Sequence, residues 1–196
     1  MGVTDFPADD IQLSNFLSGD HFSQLAIPAY QRGYSWTQDQ LDDFWSDLKD
    51  VKDDPDDEQY FFGTLVCINN GSSSGLHKFQ LVDGQQRMAT CLIFLSVIRD
   101  IFLKLKSTHA DTVQKEITNW KLKQSDPLFY KIKLDDDDDY FIKDTIFQKI
   151  LPPNDKFDFV KSSTTKYQTH KNIKNAYLFF YETLWNYLDT FFIYFL

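Results

Sequence analysis

The sequence predicts an α+β fold, in which a small mixed sheet with packed helices is followed by a mainly helical C-terminal half. Short apolar runs bounded by glycine, proline or asparagine are concentrated before residue 84, and such runs favour strands and turns. From Met88 onward the apolar residues recur mostly at helical spacing. The chain of 196 residues is 42% hydrophobic and 17% aromatic. This is enough for a packed core and excludes wholesale disorder.

The first half alternates helical and extended patterns. Thr37 is a plausible N-cap for an amphipathic helix, and Pro28 stops the strand that precedes it. The expected elements are a helix over 8–19, a strand over 21–28, a helix over 37–51, and strands over 60–68 and 76–83. The last two strands flank the turn "NNGSSSG", so together they read as a hairpin of the predicted sheet.

The second half is dominated by helical spacing. The expected elements are helices over about 85–105, 110–123 and 138–151, an extended piece over 129–134, and a long C-terminal helix whose apolar face runs from Ile173 to Leu188. Pro152 and Pro153 end the third of these helices. We expect residues 1–106 to form the core and residues 107–196 a helical extension of the same domain.

The charge distribution argues against sequence-independent binding of DNA. The net charge is −9, and residues 1–80 carry 4 basic and 14 acidic side chains. Binding of this kind needs a basic surface that releases counterions, so any contact with DNA must be local. Only three of the 20 basic residues are arginines, Arg32, Arg87 and Arg99, and the first two stand in the most unusual stretches of the sequence.

The sequence also sets the expected compartment. No stretch reads as a signal peptide or as an apolar membrane span, so we expect a cytoplasmic protein without membrane contact. Cys67 and Cys91 lie in apolar runs and are interpreted as small buried hydrophobic residues. The four histidines show no ligand spacing, and we predict no metal site built from side chains.

The stretch "LVDGQQR", residues 81–87, predicts a turn from a strand into a helix. The first backbone N–H groups of a helix favour an anion, and Gly84 permits both a tight turn and a close ligand. Arg87 can fork onto a phosphate, while Gln85 and Gln86 offer neutral donors and acceptors. The competing interpretation is that Asp83 is only an N-cap and that the glutamines are solvated.

The loop "IPAYQRGYSW", residues 27–36, clusters aromatic side chains with an arginine and a glycine. Such a surface can stack on a base and hydrogen-bond to a sugar-phosphate. The alternative is that these aromatic rings plug the core and that Arg32 pairs with an acid. If both stretches form one site, Arg32 or Tyr34 must approach the 83–87 turn across an open cleft, despite about 50 intervening residues.

The combination of "YQRGYSW", "FFGTL" and "LVDGQQRMAT" resembles the N-terminal half of the GmrSD-type modification-dependent restriction enzymes. It is also similar to the DNA-phosphorothioate-sensing SspE proteins, and "DGQQR" relates both to the ParB/sulfiredoxin-like fold. The similarity extends through "LDDDDDYFIKDTIF" and "THKNIKNAYLFFYETL". Met88-Ala89 stands where Leu-Thr is commoner, with Thr90 retained. The sequence ends before the Asn-Arg-Gly segment and the HNH nuclease domain of longer members, so we expect it to be truncated there.

The resemblance implies a core over residues 1–106 that binds a nucleoside triphosphate with Mg²⁺ and hydrolyses it. Asp83 and Arg87 would be catalytic. The residues that would bind nucleotide are Gly84, Gln85, Gln86, Arg87, Thr90, Tyr30, Gln31, Arg32, Gly33, Tyr34 and Trp36. Hydrolysis would gate a nuclease in cis or in trans, in a restriction or phage-defence system that senses modified DNA. The alternative is a non-catalytic module that binds nucleotide, DNA or a partner.

Two further stretches carry no predicted site. We expect the run Asp135–Asp139 to be a solvated loop with Asp138 or Asp139 as N-cap, because consecutive side chains point in different directions. We interpret the segment "HKNIKN", which contains His170, as the surface of an amphipathic helix.

Overall fold

The computed structural model describes residues 12–17, 24–53, 61–73, 76–119, 121–127, 129–151 and 154–194. Four strands form one mixed sheet in the order β2-β3-β1-β4. The strands are β1 Gln24–Ala26, β2 Val66–Ser73, β3 Leu76–Asp83 and β4 Ile132–Lys133. β1 runs parallel to both of its neighbours, and β2 and β3 form an antiparallel hairpin. The predicted α+β class and the small mixed sheet are confirmed.

The second half of the chain supplies one of these strands. The amides of Leu25 and Ile27 donate to the carbonyls of Lys131 and Lys133, each at 2.8 Å. The predicted extended piece over 129–134 is therefore the edge strand β4, and it places the central strand β1 between two neighbours. Leu25 is completely buried in consequence.

Strand β2 begins later than the sequence predicts. The prediction placed it over 60–68, whereas the ladder starts at Val66 and continues through the predicted turn as far as Ser73. Residues 61–65 belong to no helix and to no ladder. Two of their carbonyls, those of Phe62 and Thr64, accept hydrogen bonds from Arg87. Gly63 has φ 106°, outside the strand region, which also interrupts pairing.

Helix α3, Gln85–Lys104, runs through the middle of the molecule. The sequence predicted one apolar stripe from residue 88 to 105, but residues 88–93 are all buried and Leu105 is exposed. The helix packs against α4, His109–Ile117, and against α7, Gln168–Tyr194. Because neighbours cover more than one side, residues 88–93 have no solvated face.

The remaining helices are α1 Leu13–Leu17, α2 Gln38–Asp53, α5 Asp136–Ile142 and α6 Lys156–Ser162. Apart from α6, they depart from the prediction mainly at their ends. A π-helical turn, Lys143–Phe147, continues α5 and ends it earlier than predicted. α4 stops at Ile117 because Thr118 pairs with Tyr130 in an isolated bridge. Residues 8–11 and 18–23, the turn residues 74–75, and Pro152 and Pro153 lie outside the described residues.

The sequence interpretation missed α6. Asp155 caps it by accepting hydrogen bonds from the amides of Phe157 at 2.9 Å and Asp158 at 3.4 Å. The long helix α7 was predicted, and its face from Ile173 to Phe180 is buried as expected. Among the helices that the structure describes, none is long and apolar enough to cross a membrane.

Candidate functional site

The loop 27–36 and the 83–87 turn meet directly. Gln86 joins them, since its Oε1 accepts from the Ser35 amide at 2.8 Å and its Nε2 donates to the Gly33 carbonyl at 3.2 Å. Gln31 adds a third bond, from its Nε2 to the Val82 carbonyl at 2.9 Å. The predicted convergence of the two motifs is therefore observed. An amide side chain suits this place because it donates and accepts at once.

Tyr34 fixes the far side of the loop inside the core. Its side chain is buried, and its hydroxyl shares a 2.8 Å hydrogen bond with Oγ1 of Thr90, one turn further along α3. Burial raises the pKa of the Tyr34 hydroxyl well above its ordinary value, so the group stays neutral. Asn172 of α7 holds the same residue from the other side, donating to its carbonyl at 3.2 Å.

The other aromatic residues of the loop divide between core and surface. Trp36 is half-buried and meets Phe44 edge-on, with ring centroids 6.1 Å apart. Tyr30 is 75% exposed, and its hydroxyl accepts a hydrogen bond from Gln80 at 3.2 Å. Tyr34 and Trp36 thus serve packing, as the plainer interpretation proposed, whereas Tyr30 leaves a flat ring in solvent.

Arg87 contacts residues 62–64 and does not line the cleft beside the loop. Its guanidinium donates to the Thr64 carbonyl at 2.8 Å and to the Phe62 carbonyl at 3.3 Å, and it lies 3.7 Å from Asp83. Only glycine fits at position 63, because a Cβ there would lie 1.4 Å from this guanidinium. Asp83 is not the N-cap: α3 begins after Gly84, which has φ 87° and makes no side-chain cap. The competing interpretation of Asp83 is therefore wrong.

A cleft opens between the loop and the first turn of α3, with α5 on its third side. Its lining residues are Ile27, Gln31, Arg32, Gly33, Tyr34, Gln85, Gln86, Ala89, Leu134, Asp135 and Asp138. The volume of this cleft is about 20 Å³, which is room for a single water molecule. Arg32 is exposed at the cleft, and neither Arg87 nor Trp36 reaches it.

Asp138 and His170 are placed differently from the prediction. Asp138 is buried inside α5, and its Oδ1 accepts a short hydrogen bond from Thr169. His170 is also buried, and its ring stacks on Phe141 with centroids 4.4 Å apart. The solvated loop proposed for Asp138 and the surface position proposed for His170 are both wrong.

Helical spacing could have identified these two residues. Asp138 stands three and four positions before the buried Phe141 and Ile142, and His170 stands three before the buried Ile173. Residues at these spacings share one face of a helix. Within the described part of the chain, no group of three or more His, Cys, Asp or Glu side chains could hold a metal ion.

A family model described as "GmrSD restriction endonuclease, N-terminal domain" matches residues 13–196. The chain belongs to this GmrSD N-terminal domain family. Membership places it in the context of restriction and phage defence. A search of curated proteins finds no match to it.

In this GmrSD family member, the structure brings together only part of the predicted site. Gln31, Arg32, Gly33, Tyr34, Gln85 and Gln86 line one cleft. Gly84 shapes the turn beneath them, and Thr90 supports Tyr34 from within the core. Asp83, with its side chain 68% exposed, and Arg87 do not line this cleft. Tyr30 projects into solvent and Trp36 packs on α2.

Proposed function

We propose that this cleft and its mouth bind a nucleoside triphosphate with Mg²⁺ and hydrolyse it. The observation that carries the proposal is the double hydrogen bond of Gln86 to Ser35 and Gly33, because it ties the aromatic loop to the first turn of α3. One element supplies backbone N–H groups for phosphate, and the other supplies a cation and an exposed ring. A nucleotide needs both kinds of surface.

The phosphates would lie at the start of α3. The first N–H groups of a helix have no intrahelical acceptor, and the helix dipole favours negative charge there. Glycine is required at position 84, where this helix begins, since a Cβ would lie 2.3 Å from the Leu65 side chain and the left-handed φ excludes most residues. Arg32 at the cleft would add a cation, and Mg²⁺ would bridge the phosphates.

The base and sugar would lie outside the cleft, at its mouth, because the cleft volume of about 20 Å³ is too small for them. Tyr30, which precedes the cleft residue Gln31 in the chain, has a 75% exposed ring that could stack on the base. Stacking of one base on an aromatic side chain contributes about 1–3 kcal/mol. Sequence-independent DNA binding has no support in the net charge of −9, so modified DNA would be read locally at this surface.

Arg87 would contact phosphate only after a rearrangement. Its bonds to the carbonyls of Phe62 and Thr64 hold it away from the cleft in this structure. The Arg87 side chain is 29% exposed, and Asp83, 3.7 Å away, is open to solvent. Arg87 therefore has room to leave the two carbonyls and bind a phosphate. In the restriction context of the family, hydrolysis would gate a nuclease in cis or in trans.

Phosphate release from ATP, GTP, CTP and UTP, with and without Mg²⁺ and modified DNA, tests the proposal. We expect Mg²⁺-dependent release with at least one nucleotide. Arg32→Ala should weaken nucleotide binding at least fivefold without changing the melting temperature, because Arg32 is exposed. Lys123→Ala removes an exposed cation outside the cleft and should bind like the wild type. Equal affinity of Arg32→Ala and wild type would contradict the site.

A second function, binding without catalysis, is favoured by one observation. Arg87, the residue proposed to stabilise charge on the phosphates, is engaged with two backbone carbonyls. A chain that binds nucleotide stoichiometrically in calorimetry and releases no phosphate under any condition would establish this second function in place of the first.

A further inference from the structure

Gln85, a residue that lines the cleft, has a buried oxygen, Oε1, that lacks a hydrogen-bond partner. An unpaired buried acceptor costs about 1–3 kcal/mol, so such an atom in a native protein calls for a partner. The cleft, with a volume of about 20 Å³, is large enough for one water, since about 10–15 Å³ suffices.

A carboxylate belongs to the lining of the same cleft. Asp138 lines the cleft, although only 7% of this residue is exposed. Its Oδ2 lies on the Gly33 side, 2.7 Å from the position that a Cβ of Gly33 would occupy. The glycine therefore leaves this oxygen uncovered, which no other residue could do.

The other oxygen of Asp138 is held in place. Oδ1 accepts the hydrogen bond of Thr169, and Nε2 of His170 lies 3.3 Å from it. That nitrogen is buried and makes no hydrogen bond of normal geometry. Stacking of the ring on Phe141, with an angle of 8° between planes, fixes its orientation. The carboxylate therefore has one anchored oxygen and one that faces the cleft.

We infer that Asp138 and Gln85 hold the water that attacks the terminal phosphate, an inference that rests on the proposed function. The water oxygen bonds to the γ-phosphorus, and the bond from this phosphorus to the β,γ-bridging oxygen breaks. The nucleoside diphosphate leaves with the bridging oxygen, and the water proton passes to Oδ2 of Asp138. Asp138 is a catalytic residue in this scheme, while Thr169 and His170 are positioning residues.

The experiment compares Asp138→Asn with Asp137→Asn in the 196-residue chain. The two changes are chemically identical and occur on the same helix, but Asp137 is exposed and does not line the cleft. Asp138→Asn should lower kcat at least 100-fold, because proton transfer to a positioned group contributes about 10²–10⁴-fold. Its nucleotide Kd should stay within threefold of wild type, and Asp137→Asn should keep full activity.

Two further measurements separate chemistry from folding. A crystal structure of the wild type should show an ordered water within hydrogen-bond distance of Asp138 Oδ2 and Gln85 Oε1, and its absence would overturn the inference. Thr169→Val should lower kcat with KM unchanged, and Thr169→Ser, which keeps the hydroxyl, should restore it. A role in folding alone would not produce this split.

The outcomes also distinguish this inference from the proposed function. If wild type hydrolyses nucleotide and Asp138→Asn matches it, the inference alone is overturned. If Asp138→Asn loses nucleotide binding together with turnover, Asp138 is a ligand-binding group and the water site is wrong. If wild type hydrolyses no nucleotide, the proposed function and the inference are both overturned.

Discussion

The two ends of α3 both carry polar side chains, but they use them in opposite ways. Near the C-terminal end, Arg99 and Asp100 are completely enclosed, with side-chain exposures of 0% and 1%. Every N–H of Arg99 has an acceptor: Asp100 at 2.8 and 2.9 Å, Gln114 at 2.8 Å, and the carbonyls of Ile146 and Phe147 at 3.0 and 2.7 Å. Tyr177 adds a bond to Asp100 at 2.9 Å.

The N-terminal end is only partly satisfied. Gln86 and Arg87 bind loop carbonyls and amides while remaining half-buried, and Oε1 of Gln85 has no partner. A closed network of charges rigidifies a core but has nothing left for a ligand. An open one keeps donors and acceptors available beside solvent. The C-terminal end therefore serves stability, and the N-terminal end is the one proposed to bind a ligand. The following experiments test that division.

The largest effect is expected from Asp100→Ala. Removing this carboxylate leaves Arg99 charged and buried, which should lower the free energy of unfolding by about 3–5 kcal/mol. Urea denaturation measures it, with Asp137→Ala, an exposed change on α5, as the control. A loss below about 1 kcal/mol, the range of an exposed ion pair, would break the comparison by showing that the closed network does not stabilise the fold.

The next effect concerns Arg87. Arg87→Ala removes the bonds to the Phe62 and Thr64 carbonyls and should lower the free energy of unfolding by about 1–3 kcal/mol. Gly63→Ala should have a similar effect, because its Cβ would displace the guanidinium at a φ of 106°.

Arg87→Ala also tests the binding role that the resemblance implies for this residue. If the guanidinium reaches phosphate, the substitution should weaken nucleotide binding by more than about 1.5 kcal/mol in calorimetric titration. If the folded variant bound nucleotide with the same affinity as the wild type, Arg87 would only stabilise residues 61–65 and would not belong to the ligand site.

A smaller effect is expected from Tyr34→Phe. The change leaves Oγ1 of Thr90 without its 2.8 Å partner and should lower the free energy of unfolding by about 1–2 kcal/mol. Because burial raises the pKa of the Tyr34 hydroxyl, the loss should be the same at pH 6 and pH 9. Tyr140→Phe, at a ring that is 73% exposed, is the matched control and should change little. A loss that varied with pH would mean that the Tyr34 hydroxyl ionises in the folded state.

The smallest effect is a pH dependence at the closed end. Burial lowers the pKa of Lys156 to about 7, and its ammonium donates to the Gln148 carbonyl at 2.7 Å. The unfolded pKa is about 10.4. Between these values the unfolded chain binds more protons, so the contribution of Lys156 to stability rises with pH and is lowest below pH 7.

Comparison with Lys156→Met isolates this contribution. From pH 7.5 to pH 9, the free energy of unfolding of wild type should rise relative to the variant by up to about 1 kcal/mol per pH unit. Titrating groups that both chains share cancel in this difference. A constant difference across the range would mean that Lys156 keeps its proton in the folded state.

Local sequence patterns predicted most helices and strands. The predictions failed for elements whose position depends on tertiary contacts. The helices that became α2, α3 and α7 were predicted because their apolar spacing is regular over several turns. β2 begins later than predicted because Arg87, 23 residues beyond Thr64 in the chain, donates hydrogen bonds to carbonyls that a strand ladder would otherwise use. α6 is a single short helix whose signal is one capping aspartate, Asp155, and this is too weak to predict alone.

The candidate site divides in the same way. The sequence indicated that the aromatic loop and the 83–87 turn would meet, and Gln86 joins them across 51 residues. It did not indicate that Asp138 and His170 would be buried beside the loop, although their spacing from Phe141 and Ile173 carried that signal. The run of five aspartates suggested a solvated segment and obscured it.

By itself, the sequence determined the features that depend on neighbouring residues and on membership of a family. It specified a glycine at the one turn position with φ 87°, the start of α3 beside it, and the match to the GmrSD N-terminal domain. Only the tertiary structure decided which way each polar side chain points. Arg87 turned to residues 62–64 and Asp138 turned to Thr169 and Gly33. A side chain takes the partners that the folded backbone brings within about 3 Å, and those partners are set by packing, not by local sequence.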